Sequence, residues 1–108
     1  MTALLAAGAE IRYDLTLFVS GASELSARAV ASAKLLCDNH LSGRYQLAVV
    51  DVHGDPSAVL RSLVLATPTL VRNRPLPVRK LVGDLSDAGR VLLALELPSA
   101  NAAATARD

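Results

Sequence analysis

Apolar and polar residues alternate over residues 11–19, IRYDLTLFV, so that Ile11, Tyr13, Leu15, Leu17 and Val19 share one face. A period of two predicts a strand. SGAS breaks that pattern, and Ser23 is placed to cap a helix running to about His40. Leu25, Ala29, Ala33, Leu36 and Cys37 recur at helical spacing and predict the face turned to a sheet, while Arg28, Lys34 and Asp38 fall elsewhere around the helix. After a turn at SGR, residues 45–52, YQLAVVDV, have a continuous apolar centre, which predicts a strand covered on both faces as parallel strands are. Strand, helix and strand in that order make a right-handed crossover unit.

The second half is punctuated by prolines. Asp55 and Pro56 predict a helix start, with Val59, Leu60, Leu63 and Val64 as its apolar face. That helix ends before Thr67, because a residue preceding proline is pushed out of the helical region. TPTLV reads as a third strand, RNRPLP as a turn and VRKLVG as a fourth strand. Ser86 is placed to cap a last helix, DAGRVLLALEL, stopped by Pro98. RVLLALEL is apolar almost throughout and suits a strand as well, and Gly89 costs a helix about 1 kcal/mol relative to Ala. The order βαβαββα is an α/β fold of thioredoxin-like topology, with the last two strands added antiparallel.

Composition narrows what such a domain does. At 108 residues, 52% of them hydrophobic, the chain makes one domain over residues 11–98, with a flexible leader expected at 1–10 and a flexible tail at 99–108. Aromatics are only 3%, so the core must be aliphatic and stacking platforms for single-stranded nucleic acid are scarce. A net charge of +1 supplies no general attraction to nucleic acid or acidic membranes. No charge-free apolar run reaches the roughly 18 residues of a spanning helix. MTALLAAGAEIR lacks a basic region ahead of its apolar residues, so no signal peptide is expected. A single cysteine excludes an internal disulfide framework and fits a reducing, cytoplasmic setting.

Candidate chemistry is sparse. In thioredoxin-like folds the dithiol follows the first strand, where this chain has SGASELS and no thiol. Cys37 falls about four turns along the helix on its apolar side, as a small buried hydrophobe does. His40 and His53 are isolated from other residues at metal-ligand spacing, and no serine lies in a nucleophile elbow. Neither a cofactor nor a metal is expected. Thr67-Pro68-Thr69 leaves open a cis proline that exposes backbone to a partner or a trans proline that ends a helix. Arg72, Arg74, Arg79 and Lys80 bracket the proline turn. Arginines there suit carboxylates on a partner, and equally suit the guarding of an exposed strand edge.

LTLFVSG, VVDV, LATPTL, the two prolines of RPLPVRKLVGDLS and RVLLALEL together resemble the KaiB family, from about Tyr13 to Leu97. The joint pattern carries the resemblance; no single piece does. The resemblance implies a non-enzymatic protein that docks on the first ATPase ring of a hexameric KaiC-type ATPase. It further implies that KaiA is sequestered by that assembly and that a clock histidine kinase, with a similar sensor domain, competes for the site. It implies two folds: a ground state, βαββααβ, forming a tetramer or dimer, and a thioredoxin-like monomer that binds KaiC. Carried onto this chain, Pro68 is the cis proline, Pro75 and Pro77 are the turn prolines, and Gly83 and Asp84 of GDLS lie in the switching half. Arg28, Arg72, Arg79 and Lys80 match basic positions, with Arg74 basic where relatives are often apolar, and the five are expected to meet acidic residues of KaiC. Ala94 and Glu96 stand where relatives commonly have Gly and Asp, and are expected to tilt the chain toward the thioredoxin-like form. The tail NAAATARD replaces an acidic extension. The competing reading is a thioredoxin-like protein with a redox or stress-response role independent of a clock.

Overall fold

The computed structural model describes residues 11–54, 57 and 66–99. β1 (Tyr13–Val19) and α1 (Glu24–His40) lead into β2 (Tyr45–Asp51); β3 (Thr69–Arg74), β4 (Arg79–Val82) and α2 (Ala88–Ala94) follow. The helix expected from Asp55 and Pro56 through Val59, Leu60, Leu63 and Val64 lies outside the described residues, as do residues 1–10 and 100–108.

The strands form one sheet in the order β2-β1-β3-β4. β1 runs parallel to β2 and antiparallel to β3, and β3 is antiparallel to β4. This is the thioredoxin-like arrangement. In the RVLLALEL segment a helix is formed, and the βαββααβ arrangement is not the one seen. Alternation in β1 has the expected effect: Tyr13, Leu15, Leu17 and Val19 are buried on the face that meets α1 and α2. Ala29, Ala33, Leu36 and Cys37 meet them from α1, and Val91 and Leu92 from α2. Leu15, Leu17, Leu70 and Val91 have no exposed surface, and burial of such side chains contributes about 1.5–3 kcal/mol each. The opposite face buries a small pair, Phe18 and Val71.

Several expectations are corrected. Ile11 is exposed, because β1 begins two residues after it. Leu25 is 60% exposed, standing on the first turn of α1 beside a cleft and away from the sheet. β2 is an end strand with Val49 48% exposed, so its apolar run does not signal cover on both faces. β3 is longer than TPTLV, taking in Arg72, Asn73 and Arg74, which leaves the turn to residues 75–78. Asp87, and not Ser86, caps α2, accepting from the Arg90 backbone N–H. α2 ends at Ala94, well before Pro98, because the chain turns left-handed at Glu96 (φ 52°). There Glu96 N–H donates to Leu93 O and Leu97 N–H to Leu92 O, closing the helix end and bringing Leu97 back onto the core.

Candidate partner-binding site

Ser23 opens α1 with extended backbone, and its Oγ accepts the Ser26 N–H at 3.1 Å. Ser26 in turn donates to Ser20 O, tying the first turn of the helix to the end of β1. This fixed start presents Arg28, exposed and paired with Glu24 at 2.8 Å one turn earlier. Across from it the chain enters β3 through Pro68, buried and cis. The Gly83 N–H donates to Pro68 O at 2.9 Å, which pins the end of β4 beside the proline. Gly83 holds φ 110°, a conformation that side chains with a Cβ rarely adopt. Asp84 then accepts from both the backbone N–H and the hydroxyl of Ser86, and these bonds hold its carboxyl below the usual carboxylate range.

Between these elements lies a cleft of about 520 Å³, lined by Leu25, Arg28, Ala29, Pro68, Asp84 and Leu85 among others. The sequence-predicted Arg28, Pro68 and Asp84 are therefore brought together across 56 positions of chain, on a mainly apolar floor with one charge of each sign at its walls.

The basic cluster is dispersed. Arg72 is 4% exposed, on the core face directly opposite Leu15, so the expectation that it faces a partner is corrected. Its guanidinium donates from Nη1 to Leu95 O at 2.9 Å and Glu96 O at 3.2 Å, and from Nη2 to Pro77 O at 2.6 Å. Arg79, opposite Arg72 on β4, is half-exposed with Nε 2.8 Å from Glu96 Oε2 in an ion pair. Two like charges face each other across the strands there, and the carbonyls and Glu96 offset the repulsion. Arg74 and Lys80 are exposed; Arg74 is opposite Asp14, beyond a β-bulge in β3. The bonds Arg74–Pro75 and Leu76–Pro77 are cis like Thr67–Pro68. Ala94 is the exposed last residue of α2.

A pairing that the sequence did not reveal is Ser20 with His53, Oγ to Nε2 2.8 Å, where β1 and β2 end side by side. Only the parallel register brings them together. Asp51 accepts from the backbone N–H groups of His53 and Gly21, which lower its pKa, and so does not orient the imidazole ring as a triad acid would. Cys37 is buried, and burial, with Asp38 beside it, pushes its thiol up to about 11. For Arg72 a signal did exist: it shares the parity of Leu70, and that parity turns it inward.

Among the described residues no helix is long and apolar enough to cross a membrane. In solved structures the fold is similar to the N-terminal domain of Synechococcus elongatus SasA (TM-score 0.64, 29% identity, 80% of this chain and 85% of that one). It is also similar to mitochondrial thioredoxin 3 of Saccharomyces cerevisiae, at TM-score 0.62 and 14% identity over 88% of this chain and 87% of that one, a likeness of fold alone. The circadian clock oscillator protein KaiB of Nostoc sp. is 44% identical over 85 residues, covering 79% of either chain. That of Gloeothece citriformis is 42% identical over 85 residues, 79% of this chain and 80% of that protein. The KaiB domain model matches residues 16–97, the stretch holding the cleft, the hairpin and α2, and the chain belongs to the KaiB family.

Proposed function

We propose that this protein is a non-enzymatic clock regulator that docks on a KaiC-type hexameric ATPase and modulates its phosphorylation and ATPase cycle. The observation that carries this reading is the cleft joining Arg28, Pro68 and Asp84, a preformed apolar floor with charged walls. Arg28 on its rim, with the exposed Arg74 and Lys80, supplies the cations for an acidic partner surface. The KaiB relatives are named as clock oscillator proteins, and those names carry no catalytic activity. Likeness to the SasA domain supports a shared fold; in this reading a clock histidine kinase competes for the same site and KaiA joins the assembly. The thioredoxin-like form is the binding-competent one, and the half from β3 onward refolds in a ground state able to oligomerise.

The test is affinity for a KaiC-type ATPase from the same host, measured against ionic strength. Arg28→Glu with Lys80→Glu lowers affinity by about tenfold, or 1.4 kcal/mol, and flattens the salt dependence. Unchanged affinity and salt slope would sink the reading.

A further inference from the structure

We propose that Arg72 is a positioning residue that latches the β3–β4 hairpin to the end of α2, so that the turn and the helix end hold and open together. The inference goes beyond the partner-binding reading and does not need it; only its use in refolding rests on that reading.

A buried guanidinium ordinarily finds a carboxylate. Arg72 instead spends its three hydrogen bonds on backbone carbonyls from two places distant in sequence, Pro77 in the turn and Leu95 and Glu96 after α2. Helix ends leave carbonyls without partners. In α2 those of Val91, Leu92 and Leu93 are taken by the Leu95, Leu97 and Glu96 N–H groups, and those of Leu95 and Glu96 by Arg72. α2 has only seven residues, and isolated helices of that length do not persist. Its end passes through a left-handed Glu96, a conformation disfavoured for that residue. Arg79, paired with the Glu96 carboxylate, reinforces the same junction from the next strand. With Arg72 removed, the turn and the helix end lose their shared donor while β1, α1 and their caps keep every bond described.

The experiment is residue-resolved amide exchange by NMR on the full chain, comparing wild type, Arg72→Lys and Arg72→Gln. The Leu95 and Leu97 amides should exchange at least about tenfold faster in both variants, with Ala27 and Val52 unchanged. In wild type the protected Arg72 guanidinium protons should exchange in step with the Leu97 amide, and the Leu95 and Leu97 amides should open together at lower urea than Ala27. Unaltered exchange in the variants would overturn the latch. So would equal acceleration at all four amides, or a variant that does not fold, since Arg72 would then serve the whole core. A single wild-type opening shared by Ala27 and Leu97 would overturn it without any variant. Loss of ATPase binding in wild type would speak against the docking reading and leave these exchange patterns as they are.

Discussion

α1 and α2 lie on the same face of one sheet and are held there by different means. α1 has 17 residues and buries Ser26, Ala29, Ala33, Leu36 and Cys37 along its length. Its start is capped by its own Ser23, and its length lies in the range where helical cooperativity helps. α2 has seven residues, buries Val91 and Leu92, and closes with the help of Arg72 from β3. A helix secured by periodic burial is fixed by local sequence. One secured by a side chain 23 positions away depends on the sheet being assembled first. The same chain thus has an amino-terminal half that specifies itself and a carboxyl-terminal half that is conditional.

The largest test of this contrast is a matched pair of core truncations. Leu15→Ala and Leu95→Ala each remove a side chain with no exposed surface, and each costs about 2–5 kcal/mol. Leu15→Ala should lower the denaturation midpoint of the whole domain. Leu95→Ala should release α2 and β4 first, seen as helical signal lost before the β1 amides open. Identical, single unfolding transitions in both variants would erase the distinction between the halves.

A smaller effect separates the two caps. Ser23→Ala and Asp87→Ala each remove a side-chain acceptor at a helix start, at a cost of about 1 kcal/mol. Because α2 is short, Asp87→Ala should show mainly as faster exchange at Leu95 and Leu97, whereas Ser23→Ala should lower global stability. Equal patterns in amide exchange would count against the contrast.

The smallest effect is confined to the amino-terminal half. The Tyr45 hydroxyl donates to Asp38 at 2.5 Å, joining β2 to α1. That hydrogen bond first, then burial and the Asp38 charge, raises its pKa from 10.0 to about 12. A raised folded-state value favours the protonated form, so the contribution is fully present below pH 10 and is lost as pH rises through about 12. Stability followed against pH should show an alkaline decline that Tyr45→Phe reduces, the remainder coming from the buried Cys37 thiol, with α2 exchange unaffected by the substitution. A decline of the same size in Tyr45→Phe would assign it to other groups.

Much of the candidate site could be read from residues in order. Ser23 as cap and Pro68 in Thr-Pro-Thr were visible in their local patterns, and Gly83 and Asp84 were singled out by the GDLS of the family resemblance. Arg28 was visible as a cation off the apolar stripe. Their assembly into one cleft was not, because it depends on β3 lying beside β1 and on the Gly83–Pro68 hydrogen bond. Leu25 shows the limit of periodicity. It stands on the apolar stripe of α1, yet the cleft leaves it exposed, and helical spacing does not say where a helix runs past its sheet.

By itself the sequence determined the described strands and α1, the aliphatic core and the missing dithiol, since hydrophobic period, caps and residue inventory are local properties. Tertiary structure decided the partners of the arginines around the proline turn, although the parity of Arg72 with Leu70 already pointed it inward. Neighbours in sequence, they became a buried clamp, an ion pair and exposed cations. It also decided that RVLLALEL, apolar enough for either state, is helical as far as Ala94. The physical reason is the same in both cases: a buried charge and a short helix each need partners that only the assembled sheet supplies.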